Sequence, residues 1–177
     1  MKIGTKRLLV AGVVLAVAAG WVVAEGARLP VEHTAQRTVR LDAPPEAVWA
    51  LIATPERFTE WRSGVRAAST LRSGGAWNGW REEGSFGPMA FTVIQSAPPR
   101  RLVARVTGGE DFGGTWSYVL EPAGSGTRLT IIEDGEVYSP VFRFVSRYVM
   151  GHHRTIDGYV ADLRKALPAR GANTAGT

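Results

Sequence analysis

The sequence predicts an α+β domain in which a strongly curved antiparallel sheet of seven strands wraps around a long C-terminal helix. Two observations indicate this class. Residues 65–138 alternate between polar and apolar side chains, with turn signals between the segments. Residues 141–167 instead place apolar side chains three and four positions apart, as one amphipathic helix does. Strand side chains cannot fill the concave face of such a sheet, so we expect the helix to cover it and leave a cavity.

An uncharged apolar segment, residues 8–24, follows a basic flank of residues 1–7. A helix of this length spans roughly 25 Å, slightly less than the hydrocarbon core of about 30 Å, and Trp21 suits the interface. Lys2, Lys6 and Arg7 favour a cytoplasmic N-terminus. We therefore predict a single-pass protein of the cell membrane, whose domain at residues 33–167 lies outside the cytoplasm behind a linker of residues 25–32.

A cleaved signal peptide is the alternative interpretation of this segment. Val22 and Ala24 resemble the small residues of a cleavage site, and cleavage would leave a secreted or periplasmic domain. The apolar run is longer than the usual signal core of about 7–15 residues, which favours an uncleaved anchor. A buried globular helix is a third interpretation, but the run is apolar on every face.

The domain is predicted to begin with a strand and two short helices. Residues 34–41 are rich in β-branched side chains and indicate the first strand. Asp42 can cap the helix that follows, and Pro45 suits its first turn. A second short helix is predicted from Pro55 to Trp61.

Six further strands and one helix complete the prediction. The strands are expected at residues 65–71, 76–82, 90–96, 102–107, 115–121 and 127–138. Their short connections indicate an antiparallel meander, and the glycine-rich stretch 108–114 is interpreted as a loop. Gly151 and Gly158 cost about 1 kcal/mol each inside the final helix and suggest close packing or a bend. Residues 168–177 are expected to be a disordered tail.

Composition excludes several classes of function. The chain has no cysteine, which removes disulfides, thiolate metal sites and cysteine nucleophiles. Its net charge of +5 suggests anionic partners, but acidic residues interrupt the basic ones, so we predict no nucleic-acid binding. No hydrolase, zinc-protease or nucleotide-binding motif occurs, and no cofactor is expected.

Three stretches resemble the SRPBCC or START-like superfamily, in particular its polyketide cyclase/dehydrase and lipid-transport branch. They are Ala43 to Trp49 with Trp61 downstream, the hairpin from Gly126 to Thr130, and the amphipathic terminal helix. The resemblance extends from Glu32 to Leu167 and concerns fold and packing, with no catalytic signature. It implies a helix-grip fold with a ligand cavity, in a superfamily of lipid carriers, hormone receptors and cyclases.

Glu133 is the most informative polar residue. Alternation places it on the same strand face as Leu129 and Ile131, so a concave face would make it a buried acid. Such an acid has a raised pKa or a charged partner, and it can orient a ligand hydroxyl or act as a general base. The alternatives are a salt bridge, with Arg81 or Arg105 as candidates, or an exposed position near the end of the strand.

The histidines do not indicate a metal site. His152 and His153 project about 100° apart on a helix, and His33 lies next to the linker. His152 lies on the apolar stripe and is either a hydrogen-bonded core residue or a cavity residue. His153 and Asp157 are interpreted as a surface pair.

Two functions from different classes follow, with a structural module of an envelope complex as a third. The first is a noncatalytic binding or transfer domain for a lipid-like or polycyclic molecule, and the second is a cyclase, dehydrase or hydrolase that uses Glu133 with help from His152 or Tyr118. The absence of a coherent acid/base set favours the first.

Residues predicted to contact the ligand are Phe91, Val93, Gln95, Trp116, Tyr118, Leu129, Ile131, Glu133, Tyr148, His152 and Ile156. Residues 84–88, with Phe86, are either an entrance flap or an ordinary turn.

Overall fold

The computed structural model describes residues 2–85 and 87–167 and confirms the predicted fold class. The helices are α1 (Lys2–Arg28), α2 (Pro45–Ile52), α3 (Phe58–Trp61), α4 (Pro140–Val145) and α5 (Arg154–Ala166), with a 3-10 turn at Pro55–Arg57 and a π-helical segment at Ser146–Met150. The strands are β1 (Glu32–Leu41), β2 (Val65–Ser73), β3 (Ala76–Gly84), β4 (Gly87–Ala97), β5 (Arg101–Thr107), β6 (Phe112–Ala123) and β7 (Gly126–Val137).

All seven strands form one antiparallel sheet in the order β1-β7-β6-β5-β4-β3-β2. Strands β2 to β7 are the predicted meander, and β1 closes it by pairing along the whole of β7. The glycine-rich stretch was predicted to be a loop, which is wrong for its second half, because Gly113 and Gly114 lie within β6. Gly114 has φ +104°, and a Cβ atom there would lie 2.1 Å from the carbonyl oxygen of Asp134. The missing side chain therefore lets β6 approach β7 closely.

Helix α2 closes one end of the sheet. Pro45 occupies its first turn, and Val48, Leu51 and Ile52 point into the core, as their spacing predicts. The Thr127 hydroxyl donates a 2.7 Å hydrogen bond to the carbonyl oxygen of Ala43, which fixes the start of α2 to β7.

The C-terminal helical region is interrupted, whereas one continuous helix was predicted. Gly151 adopts φ +74°, a left-handed conformation that ends the π-helical segment after Met150. Helix α5 then buries Ile156, Tyr159 and Leu163 against the sheet, while α4 buries no residue. The interruption lets the two helical parts pack against different surfaces.

The first helix extends beyond the predicted membrane segment. It continues to Arg28, so residues 25–28 of the predicted linker are helical, and β1 begins at Glu32. The part Lys6–Arg28 is long and apolar enough to cross a membrane, and its apolar side chains are exposed. Within the described residues, α1 contacts the domain through its last turns, mainly at α4 and also at Tyr148.

Candidate functional site: a cavity between sheet and helices

A cavity of about 350 Å³ lies between the concave face of the sheet and the C-terminal helical segments. This volume lies in the lower part of the range of about 300–1,000 Å³ that small-molecule sites occupy. Its lining is mainly apolar, with aromatic side chains from β3, β4, β6 and α5. Two groups of polar residues interrupt that lining, one around Glu133 and the other around Arg62.

An aromatic row builds the floor of the cavity. Alternation along β6 directs Trp116 and Tyr118 to the concave face, where their rings lie 6.3 Å apart. Tyr159 of α5 packs against both, at 6.3 Å from Trp116 and 5.5 Å from Tyr118. Gly158 borders the cavity, and a Cβ atom there would meet nothing within 4 Å. A side chain at position 158 would therefore extend into open space at the border of the cavity.

Glu133 projects from β7 into this apolar space. Its inward direction follows the predicted alternation with Leu129 and Ile131, both of which are fully buried. Burial raises the pKa of Glu133 to about 7. Its Oε2 atom is buried and has no hydrogen-bond partner among the described residues. In the part of the chain that the structure describes, no arginine pairs with the carboxyl group of Glu133. Arg105, one of the two candidates for a salt bridge with Glu133, approaches Glu136 instead.

His33 lies beside this carboxyl group, with its Nε2 atom 4.0 Å from Oε1 of Glu133. The register of β1 on β7 pairs His33 with Gly135, and the imidazole occupies the space that a side chain at Gly135 would fill. Burial, and next the neighbouring His152, lowers the pKa of His33. The pKa shifts of His33 and Glu133 both favour the neutral forms, so their contact is not a salt bridge. From the sequence, His33 was predicted only to lie next to the linker, because no local pattern indicates that it approaches Glu133.

His152 completes the group. Its ring stacks on that of His33 at a centroid distance of 4.3 Å, and its Nδ1 atom lies 3.1 Å from the Ser146 hydroxyl oxygen. Burial, and next the charges of Arg147 and His153, lowers its pKa. The sequence left two alternatives for His152, a hydrogen-bonded core residue or a cavity residue. In the structure His152 borders the cavity and is also within hydrogen-bond distance of Ser146. The described residues contain no group of three metal-ligating side chains.

A second polar group at the cavity wall is fully satisfied. Arg62 donates two hydrogen bonds to the buried carboxylate of Glu82, at 2.5 and 3.2 Å, and Trp80 donates a third at 3.0 Å. The Arg62 guanidinium also lies 5.2 Å from the Tyr159 ring centroid. This group was not predicted, although Trp80 and Glu82 alternate onto the same face of β3 and could have indicated it. Such a bidentate, hydrogen-bonded pair fixes the wall of the cavity.

Tyr118 and Tyr159 remain protonated at neutral pH. Burial is the largest cause that raises the pKa of each hydroxyl. They serve as neutral hydrogen-bonding groups rather than as bases.

The structure separates the predicted ligand contacts into three sets. Phe91, Trp116, Tyr118, Glu133 and His152 border the cavity. Four others pack in the core around the cavity without bordering it, namely Leu129, Ile131, Ile156 and Val93. Gln95 and Tyr148 are exposed outside the cavity, so we do not carry them into the proposed site.

The two exposed residues have separate local causes. A register shift between Val93 and Gln95 interrupts the alternation of β4, and Gln95 accepts a hydrogen bond from Arg101 on the surface. The π-helical segment directs Tyr148 outward, where its hydroxyl donates a hydrogen bond to Glu25 of α1.

Two smaller predictions have different outcomes. Asp157 forms an ion pair with Arg37 at 2.7 Å, so the interpretation of Asp157 and His153 as a surface pair is wrong. The adjacent strand β1 supplies a closer cation than the same helix does. In the predicted flap, Gly84 and Ser85 border the cavity, whereas its centre, Phe86, lies outside the described residues. The predicted tail at 168–177 also lies outside them.

Comparison with known proteins gives a family match. The sequence profile of the family described as polyketide cyclase / dehydrase and lipid transport matches residues 32–165. No curated protein matches the chain in sequence.

Solved structures share the fold at low identity. A START superfamily protein from Mycobacterium smegmatis is 18% identical with a TM-score of 0.64, over 75% of this chain and 95% of that chain. A conserved protein from Geobacillus kaustophilus is 17% identical with a TM-score of 0.63, over 75% and 93% of the two chains. The di-domain ARO/CYC BexL from the BE-7585A biosynthetic pathway is 16% identical with a TM-score of 0.62. Its match extends over 84% of this chain and 54% of that chain.

Proposed function

Because this chain belongs to the polyketide cyclase / dehydrase and lipid transport family, we propose that its cavity binds one hydrophobic small molecule at the membrane and holds it for transfer. The molecule is lipid-like or polycyclic and carries at least one polar group. The volume of about 350 Å³ suits a single ring system or a single chain.

One observation carries this proposal: Glu133 Oε2 is buried in an aromatic cavity and has no hydrogen-bond partner in the described part of the chain. A buried polar atom without a hydrogen bond costs about 1–3 kcal/mol, and native proteins keep few of them. A ligand hydroxyl or carbonyl placed against Glu133 would supply the missing hydrogen bond. The apolar remainder of the ligand would then lie against Trp116 and Phe91.

The pKa of about 7 lets Glu133 accept two kinds of ligand. The protonated carboxyl group donates to a ligand carbonyl, whereas the ionised group accepts from a ligand hydroxyl. Neutral His33 and His152 add hydrogen-bonding capacity beside it without competing as cations. The site therefore suits a neutral, oxygen-bearing ligand better than an anion.

The proposed membrane arrangement follows the predicted layout. Residues 8–24 span the membrane, the flank 1–7 stays in the cytoplasm, and the binding domain 33–167 lies on the other side. The exposed apolar surface of α1 supports this arrangement, since it has no partner within the described domain before its last turns. A signal peptide cleaved near Ala24 would leave the same domain free in the periplasm or outside the cell.

Filling the cavity tests the binding function directly. Gly158→Leu places a side chain in the open space beside Tyr159, and Ala161→Leu adds the same group on the exposed face of the same helix. We expect the first variant to lose stoichiometric binding of the fluorescent probe N-phenylnaphthylamine, and the second to keep it. Native mass spectrometry of gently purified full chain should also show a co-purified small molecule. Equal probe binding by the two variants would contradict the proposal.

An enzyme of the cyclase or dehydrase type is the second candidate, and the raised pKa of Glu133 favours it. A carboxyl group with a pKa near 7 can remove a proton from carbon or oxygen and return it at neutral pH. Tyr118 and His152 would then orient the substrate as neutral donors. In that case Glu133→Gln abolishes turnover while substrate affinity is retained, whereas a carrier has no turnover to lose.

A further inference from the structure

We propose that residues 140–150, here called the portal segment, lie on the lipid surface of the membrane and form the door through which the ligand passes directly between bilayer and cavity. The inference rests on the proposed function. It adds an interaction surface, its partner and the route of the ligand.

The portal segment is attached to the end of α1. Gly26 of α1 packs so closely on Pro140 that a Cβ atom would lie 1.9 Å from the Pro140 carbonyl oxygen. The Trp21 and Phe144 rings meet edge to face at 5.4 Å, and Arg143 donates a 2.8 Å hydrogen bond to the carbonyl oxygen of Leu29. If residues 8–24 span the bilayer, Trp21 lies at the interface, and these contacts hold the portal segment at the same level.

One side of the portal segment borders the cavity. The residues that line it are Phe142, Val145, Ser146 and Met150, which follow one another at intervals of three, one and four. Helical spacing brings these side chains to one face. Gly151 ends the segment at φ +74°, which separates it from α5.

The other side is apolar and exposed. Val141, Tyr148 and Val149 are large hydrophobic residues on the surface, and Val149 is 70% exposed. A helical segment that is apolar on both sides is unusual in water, and its outer side normally has a partner. The outer surface of the portal segment continues the exposed apolar surface of α1. If α1 lies in the lipid bilayer, this outer surface also contacts lipid.

Charge favours a lipid surface over a protein partner. Arg28 at the end of α1 and Arg147 within the portal segment are exposed, whereas half-buried Arg143 donates to the carbonyl oxygen of Leu29. Arginines around an apolar patch suit the phosphates of lipid head groups, with each basic residue contributing about 1 kcal/mol near an anionic membrane. Of the acidic residues in this region, Glu25 accepts a hydrogen bond from Tyr148 and pairs with Arg28, and Glu32 shares a small pocket with Arg143 and Arg147.

The route of the ligand follows from these contacts. Among residues 2–85 and 87–167, the portal segment is the helical layer between the proposed lipid surface and the cavity, and α4 buries none of its residues. Displacing it about Gly151 would open the cavity toward lipid, so an apolar ligand would not need to cross water.

Lipid-borne quenchers test the surface. The chain has no cysteine, so Val149→Cys and Ile94→Cys each accept one environment-sensitive fluorophore. Ile94 is 57% exposed on β4 and serves as the control. The full chain is reconstituted in phosphatidylcholine and phosphatidylglycerol vesicles that contain nitroxide-labelled lipid. We expect several-fold stronger quenching at 149 than at 94, whereas equal quenching, or quenching of both by aqueous iodide alone, would overturn the proposal.

Uptake kinetics test the route. Val149→Asp places a charge against lipid without bordering the cavity, and Ile94→Asp is the matched control. We expect Val149→Asp to slow the uptake of N-phenylnaphthylamine from vesicles by about tenfold and to leave its affinity in detergent solution unchanged. Equal uptake rates for the two variants would exclude the portal segment as the route. Absence of probe binding by the unmodified chain in detergent would instead contradict the proposed function.

Discussion

The Nε2 atom of His33 lies 4.0 Å from Oε1 of Glu133, although the two residues lie in the first and last strands of the domain. The pairing of β1 with β7 produces this proximity, with Ala35 opposite Glu133 and His33 opposite Gly135. His152 then stacks on His33 from the other side. Three titratable side chains therefore meet at one wall of an aromatic cavity, and their pKa shifts all favour neutral forms.

Raising the pH should weaken the fold through Glu133. Its pKa is about 7 in the folded protein against an ordinary value of 4.5, so between these values the folded state keeps a proton that the unfolded state releases. The stabilising contribution of Glu133 is complete below pH 4.5 and is lost as the pH rises through about 7. The total loss is roughly 3 kcal/mol at most.

His33 and His152 act in the opposite direction, since their lowered pKa values destabilise the fold as the pH falls.

The variant Glu133→Gln isolates this contribution, because it cannot titrate. Relative to the unmodified chain, its free energy of unfolding should rise between about pH 5 and pH 8. Denaturant titrations at the two pH values measure this, with the exposed Glu121→Gln as the control. A constant difference between Glu133→Gln and the unmodified chain would show that the carboxyl group titrates normally.

Polar recognition should depend on Glu133, whereas apolar binding should not. At pH 8, where Glu133 is ionised, we expect Glu133→Gln to weaken binding of naphthol by about tenfold, because hydrogen bonds to charged groups contribute about 1.5–3 kcal/mol. Binding of naphthalene, which has the same rings without the hydroxyl, should change little. Tryptophan fluorescence titration, with Trp116 in the cavity as one reporter, measures both affinities. Equal losses for the two compounds would indicate a packing effect instead.

Gly135 should be required for the position of His33. In Gly135→Ala the new Cβ atom would lie 2.4 Å from the Cε1 atom of His33, so the ring must move away from Glu133 and His152. We expect a loss of about 1–3 kcal/mol in stability and a changed His33 titration by NMR. Gly158→Ala is the matched control, because its Cβ atom meets nothing and helix propensity favours alanine by about 1 kcal/mol. A Gly135→Ala variant with unchanged stability and titration would contradict this view of the site.

The predicted topology can be tested in intact spheroplasts. Lys2, Lys6 and Arg7 before an uncharged segment favour a cytoplasmic N-terminus. Protease added outside should therefore digest the domain while a cytoplasmic control protein survives. Complete protection of the domain, followed by digestion after lysis, would reverse the orientation.

Local periodicity in the sequence was sufficient to predict the element order and part of the site. The alternation of Leu129, Ile131 and Glu133 predicted an inward carboxyl group, because side-chain direction along a strand is set by the backbone. The same reasoning assigned Trp116 and Tyr118 to the concave face. It failed at Gln95, where a bulge breaks the alternation, and at Gly151, where a left-handed residue interrupts the helix.

Only the tertiary structure decided which polar groups meet. His33 reaches Glu133 because β1 returns to pair with β7, and Arg62 reaches Glu82 because the turn after α3 folds over β3. No local pattern contains these long-range pairings, since each depends on how distant segments pack. The sequence by itself therefore determined the fold class and the inward direction of Glu133. Packing decided that Glu133 has neutral histidines as neighbours and that Oε2 is left without a partner among the described residues.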